Sequence, residues 1–199
     1  FLSIYLNAQW ARIYGQYKML EADYAYSVQQ TSDDGYIIAG ETWSLGAGEC
    51  DVWIIKLFSN GTIDGQRTYG GTDQDRARSI QQTSDGGYIV AGETWSWGNG
   101  ANDVWIIKLS SNGAIEWQWT YGGNSIDSAY SVQQTSDGGY IIAGCTDSFG
   151  AGDNDFWVIK LTSTGAVEWQ RTYGGSDNDH AESIQETTDG GYVVAGCTY

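Results

Sequence analysis

Short apolar runs recur along this chain at a fixed interval. The segment DGYIIAG at 34–40 returns as GGYIVAG at 86–92, GGYIIAG at 138–144 and GGYVVAG at 190–196, a spacing of 52 residues. A second run, DVWIIKL at 51–57, returns unchanged at 103–109 and as DFWVIKL at 155–161. Between them lie polar-apolar mixtures such as AYSVQQTS (129–136) and AVEWQRTYGG (166–175), with Asp-Gly, Gly-Gly and Asn-Gly steps that mark hairpin turns. No segment carries the i, i+3, i+4 spacing of an amphipathic helix. Each unit therefore reads as four strands, a to d, which in the third unit fall at 129–136, 139–146, 156–161 and 166–175.

Strands b and c are apolar on both faces, so both faces need cover. Four-stranded antiparallel units packed between like units are the blades of a β-propeller; a stacked β-solenoid is the competing arrangement. The predicted fold is all-β: one domain over 1–199, a propeller of four four-stranded antiparallel blades. The strands run d, then a to d three times, then a and b. This leaves an N-terminal strand segment (1–14) and a C-terminal partial blade (181–199). Trp10 and Tyr14 match Trp117 and Tyr121 of strand d, and FLSIYL (1–6) resembles strand c in size and apolarity. Supplied by the same chain, these strands complete the last blade and close the ring. Supplied by a neighbour, they join subunits by strand addition, and a contact that does not close propagates as a filament. The first unit also carries a longer loop, GQYKMLEADY (15–24), with apolar residues where its siblings are polar. The expected assembly residues are Phe1, Leu2, Ile4, Leu6, Tyr17, Met19, Leu20 and Tyr199.

The unit TYGG-x4-A-x-SIQQTSDGGYIVAGETWS…DVWIIKLSSNGAIEWQ resembles the blades of about 50 residues found in exported prokaryotic β-propeller repeat proteins, and the likeness covers nearly the whole chain. It implies fold and export, and no particular activity. The Gly-His…Trp-Asp signature of WD40 blades is missing, and SSNGAIEW (110–117) has Asn112 where a sialidase Asp-box has Asp.

Charge narrows the partners. Twenty-five acidic against 9 basic residues give a formal net charge of −16. Such a surface repels phosphate backbones, so nucleic acid is excluded as a partner, while cationic partners stay open. No apolar run is long enough for a membrane-spanning helix. FLSIYLNAQ at the start resembles the end of a secretory signal, and the expected location is extracellular or at the cell surface.

Candidate chemistry mostly repeats with the fold. Asp23, Asp75, Asp127 and Asp179 recur every 52 residues, and the Asp-x-Asp loops at 71–77 and 175–181 offer oxygens to a hard cation such as Ca2+. Each loop has too few acids for the six to eight oxygens calcium takes. The aspartates read instead as turn caps, and no cofactor is expected. Lys56, Lys108 and Lys160 inside strand c need acidic partners, for which Glu41 and Glu93 are candidates. His180, the single histidine, reads as a solvated loop residue with no Ser and Asp to form a triad. Trp43, Trp95 and Trp97 flank Gly-rich loops and are candidates for stacking on a sugar. Three cysteines leave one unpaired in any disulfide scheme, and a Cys50–Cys197 bond is expected to lock the closure seam between the first and last units. No acid stands outside the repeat pattern, so catalysis is not expected. The function expected first is a non-enzymatic extracellular structural protein that self-associates through its N-terminal strand. The alternative is a ligand-binding propeller, with a glycan as ligand.

Overall fold

The computed structural model describes residues 12–15 and 22–199. Its fourteen strands form three sheets of four and one of two, with no helix among the described residues. The first sheet holds β1 (Asp23–Gln30), β2 (Tyr36–Thr42), β3 (Asp51–Leu57) and β4 (Ile63–Tyr69). The second holds β5 (Asp75–Gln82), β6 (Tyr88–Thr94), β7 (Asp103–Leu109) and β8 (Ile115–Tyr121). The third holds β9 (Asp127–Gln134), β10 (Tyr140–Thr146), β11 (Asp155–Leu161) and β12 (Val167–Tyr173). β13 (Asp179–Glu186) and β14 (Tyr192–Thr198) form the two-stranded sheet. Each is an antiparallel meander in chain order, and the chain is a β-propeller whose last blade is described only in its first two strands.

The burial of each strand follows from its place. β6, β7 and β10 are buried along their whole length, whereas β8 and β12 are mostly exposed. The first strands of successive blades adjoin one another, so strand a is innermost and strand d outermost. One face of each blade packs on the opposite face of the next. Ile37, Ala39 and Ile54 of the first blade form a single core with Ile80, Tyr88 and Leu109 of the second. The same core recurs between the second and third blades. Gly92 shows why the apolar strand contains a glycine: strand β5 bulges between Ala77 and Ser79 opposite it, and the Arg76 carbonyl lies where a Cβ would stand.

The repeated Ser-x-Gln-Gln motif laces the inner strands together. Adjacent blades are separate sheets, so the inner edge of each strand a has backbone groups without a ladder partner. Ser27 Oγ accepts from Ile80 N at 3.2 Å and Gln29 Oε1 from Gln82 N at 2.6 Å. Ser79 and Gln81 serve the third blade in the same way, and Ser131 and Gln133 the fourth. The second glutamine reaches back: Gln82 Oε1 accepts from Ser32 N at 2.8 Å. At the outer edge the tyrosine of the TYGG motif latches blades together. Tyr69 Oη donates to the Gly113 carbonyl and Tyr121 Oη to that of Gly165, each at 2.6 Å. Tyr14 Oη donates to the Gly61 carbonyl at the same distance. It thus stands on the first blade as a strand-d tyrosine stands on its successor.

The lysines of strand c do not pair with Glu41 and Glu93. Lys56 lies opposite Ile37 in the register, at the other end of the strand pair from Glu41. Its Nζ meets Asp33 of the a–b turn at 2.9 Å. Lys108 sits between Asp85 at 2.9 Å and Glu116 at 3.0 Å, and Lys160 between Asp137 at 2.9 Å and Glu168 at 3.2 Å. The Thr83 hydroxyl, with Lys108 and the Gly87 amide, holds the Asp85 carboxyl down to about 2; the Thr135 hydroxyl, with Lys160, does the same for Asp137. A folded pKa below the unfolded one makes this stabilisation fully present above about pH 4 and lost as pH falls towards 2. Both carboxylates are more than half exposed, and screening keeps each contribution under about 1 kcal/mol. The melting temperature of an Asp85→Asn/Asp137→Asn protein should therefore lie below that of the parent at pH 6. The gap should close between pH 4 and pH 2.

Candidate functional site

Within strands a and b the four units are nearly identical, and the positions that change chemistry most fall together in space. Tyr24, Arg76, Ser128 and His180 are equivalent, as are Tyr26, Arg78, Tyr130 and Glu182. Glu41, Glu93, Cys145 and Cys197 form a third set on strand b. The innermost strands carry one member of the second set from each blade to a common pocket of about 580 Å3, lined by Tyr26, Arg78, Tyr130 and Glu182 together with His180 and Tyr199. Conformity elsewhere with variety at this mouth is the pattern of a scaffold around a site.

One half of the mouth is ionic. Arg76 Nε lies 2.6 Å from Glu41, and Arg78 reaches Glu93 at 2.8 Å. Arg76 also comes within 3.5 Å of Glu93, so the first two blades are bridged by a chain of four charges. Both glutamates are buried. Burial works against the charge on Arg78, yet the Glu93 carboxylate raises its pKa above the usual arginine value. The guanidinium of Arg78 lies 4.5 Å from the Tyr26 ring centre and that of Arg76 4.9 Å from the Trp95 ring, both cation–π distances. Both arginines belong to the second unit and the glutamates to the first and second, and in the third and fourth units these positions carry Ser128, Tyr130 and Cys145 and His180, Glu182 and Cys197.

The other half has no such ion pair among the described residues. Tyr130 Oη lies 3.5 Å from Cys145 Sγ, and its ring stands 6.3 Å from the His180 imidazole. Burial raises the Tyr130 phenol well above 10. His180 is not a loop residue: it lies in β13 opposite Cys197 and is half-buried against the pocket. Of the tryptophans proposed for stacking, Trp43 donates Nε1 to Glu41 at 3.4 Å and Trp95 is covered by Arg76. Trp97 lies elsewhere, exposed on the outer side against Trp105 at 4.9 Å, beside Trp119 in a cleft of about 200 Å3. The three do not form one surface.

Cys50, Cys145 and Cys197 are all free thiols. Cys50 is buried where its carbonyl accepts from Asp75 N of the second blade at 2.8 Å, while Cys197 lines the channel pocket. The expected Cys50–Cys197 bond is not formed, because the loop carrying Cys50 turns towards the second blade rather than the last. Burial pushes the Cys50 and Cys145 thiols up to about 11, so only about one molecule in a thousand carries the thiolate at pH 8. A disulfide-exchange reagent at that pH should label one thiol of the folded protein quickly, at Cys197. Cys50 and Cys145 should react at least a hundredfold more slowly until denaturant is added.

The aspartates repeat as clips. Asp75 accepts from Gly71 N at 2.8 Å, from Ser96 Oγ at 2.7 Å and from the Thr94 hydroxyl. Among the described residues no group of three His, Cys, Asp or Glu is placed to hold a metal ion. Phe1, Leu2, Ile4, Leu6, Trp10, Tyr17, Met19 and Leu20 lie outside the described residues, as does any completion of the last blade by the N-terminal strand. Tyr199 is 79% exposed at the channel mouth.

Residues 83–116 match the model of a β-propeller family described as a domain of unknown function (DUF5122). The match runs from the a–b turn of the second blade into its strand d and agrees with the fold. No curated protein matches the chain. No helix among the described residues is long and apolar enough to cross a membrane.

Proposed function

We propose that the protein is a non-enzymatic, extracellular ligand-binding β-propeller whose site is the channel mouth, with a glycan as ligand. The observation that supports this reading is the convergence of the unit-to-unit differences on one pocket. Tyr199 offers an exposed ring to a sugar, Tyr26 lines the wall beside it under the Arg78 guanidinium, and Glu182 and His180 offer hydrogen-bonding groups. The test is a glycan array probed with the parent protein and with Tyr26→Ala, Glu182→Gln and Trp97→Ala, each checked for native circular dichroism. Binding lost in the first two and kept in the third is the expected result. Binding lost only with Trp97→Ala would move the site to the outer cleft and end this reading.

A second reading, self-association, is favoured by an open seam. Val28 of β1 is 66% exposed, whereas its equivalents Ile80, Val132 and Ile184 are 4–6% exposed within blade interfaces. Val193 of β14 is 60% exposed, against 0–1% for Ile37, Ile89 and Ile141. These are the two halves of the interface that the chain already forms between its own blades, so a head-to-tail contact between copies would reuse it. Light scattering across a range of concentrations should show mass growing beyond 21.7 kDa, and Val193→Asp should abolish the growth. A constant monomer mass would remove self-association.

A further inference from the structure

The cleft between the first and second blades breaks the repeat independently of the channel mouth. Position 65 is glycine where the next two units have Trp117 and Trp169. Trp117 stands edge-on to Tyr140 at 5.7 Å, and Trp169 meets Tyr192 at 5.8 Å, each filling the groove between its blade and the next. Tyr88 is the equivalent tyrosine in the second blade, and opposite it a Cβ built on Gly65 would find no atom within 4 Å. The groove is a cleft of about 430 Å3 with Ile37, Ile54, Tyr88 and Leu109 as its apolar wall. That is the size range of small-molecule pockets.

The rim changes together with the floor. Lys108 and Lys160 are each clasped by two carboxylates, the second being Glu116 or Glu168 of strand d. In the first blade that glutamate is the shorter Asp64, and Asp33 is the one ion-pair partner of Lys56 among the described residues. The Lys56 side chain is 16% exposed, against 4% and 3% for its equivalents. Arg67 lines the same cleft and forms no ion pair among the described residues. In a protein of net charge −16, this cleft gathers two cations around an indole-sized void, with Asp64 on its lining but in no ion pair with either among the described residues.

We propose that this cleft binds a small planar aromatic carboxylate, its ring in the place of the absent tryptophan and its carboxylate between Lys56 and Arg67. The ring would face Tyr88 as Trp117 faces Tyr140, and the anion would supply the second partner that Lys108 and Lys160 find in glutamate. This site does not depend on the channel-mouth reading, and either can fail without the other.

Indole-3-acetate is the direct probe, with indole-3-acetamide as its uncharged isostere, titrated by calorimetry and by chemical-shift perturbation. The expected result is saturable binding of the acid, at least tenfold tighter than the amide, with shifts centred on Tyr88 and Gly113. Gly65→Trp should abolish binding, because it rebuilds the filler that the sibling blades carry and leaves the fold intact. Lys56→Met with Arg67→Gln should erase the preference for the acid. Absence of saturable binding, equal affinity for acid and amide, or binding that survives Gly65→Trp would each overturn the proposal.

Discussion

Asp127→Ala should cost about 3–5 kcal/mol of folding stability, enough to leave much of the chain unfolded at 37 °C. The side chain is fully buried at the junction of the second and third blades. One oxygen accepts from the Thr146 hydroxyl, and the other from Ser148 Oγ at 2.6 Å and Gly123 N at 2.9 Å. Its own N–H donates to the Asn102 carbonyl at 2.9 Å, so it ties the end of one blade to the start of the next. Truncation leaves two hydroxyls and an amide without their acceptor, and stranding buried donors costs about 1–3 kcal/mol each before relaxation. Asp127→Asn keeps the shape and one acceptor oxygen and should lose about half as much. Urea unfolding of the three proteins reads the difference. A loss below about 1 kcal/mol in the alanine variant would mean that water replaces the carboxylate without penalty.

The same residue shows what was legible in the sequence. Strict recurrence of Asp75 and Asp127 predicts a structural cap, and capping is what they do. The strands were legible because both faces of b and c are apolar, a demand that propeller packing meets. The role of Ser27 and Gln29 was hidden, since a polar residue in strand a looks solvent-facing when the neighbouring blade is not in view. Their partners lie 53 residues away, and only the closeness of the inner strands explains them. Glu41 lies on the strand that pairs with Lys56, which makes it the partner the sequence suggests, but register puts it at the wrong end. The channel mouth was written in the sequence as the positions where a near-perfect repeat departs from itself. Trp97 stands out in the sequence as a tryptophan beside a Gly-rich loop, yet it lies in the outer cleft. Gly65 is hidden for a related reason: a missing side chain is visible only against the tryptophans that occupy its place in the next two units.

That comparison carries the second large effect, which should appear with opposite signs in two variants. Trp117→Gly should destabilise the protein by about 3–5 kcal/mol. It removes a large aromatic side chain packed among Leu161, Ile159 and Tyr140 and opens a void between blades. Glycine inside a strand adds a backbone penalty of about 0.5–1 kcal/mol. Gly65→Trp should stabilise the protein by about 1–3 kcal/mol, since it fills an existing groove, gains a ring contact with Tyr88 and removes that glycine penalty. The backbone at Gly65 is already that of a strand residue and is not among the positive-φ positions, so the gain is not offset by strain. Thermal and urea unfolding of both variants read the two signs directly. A Gly65→Trp protein less stable than its parent would show that the first groove is shaped against an indole, which would also undercut the ligand assigned to it. The double variant, with the tryptophan moved from one groove to the other, should show nearly additive effects, because the two positions lie in separate interfaces.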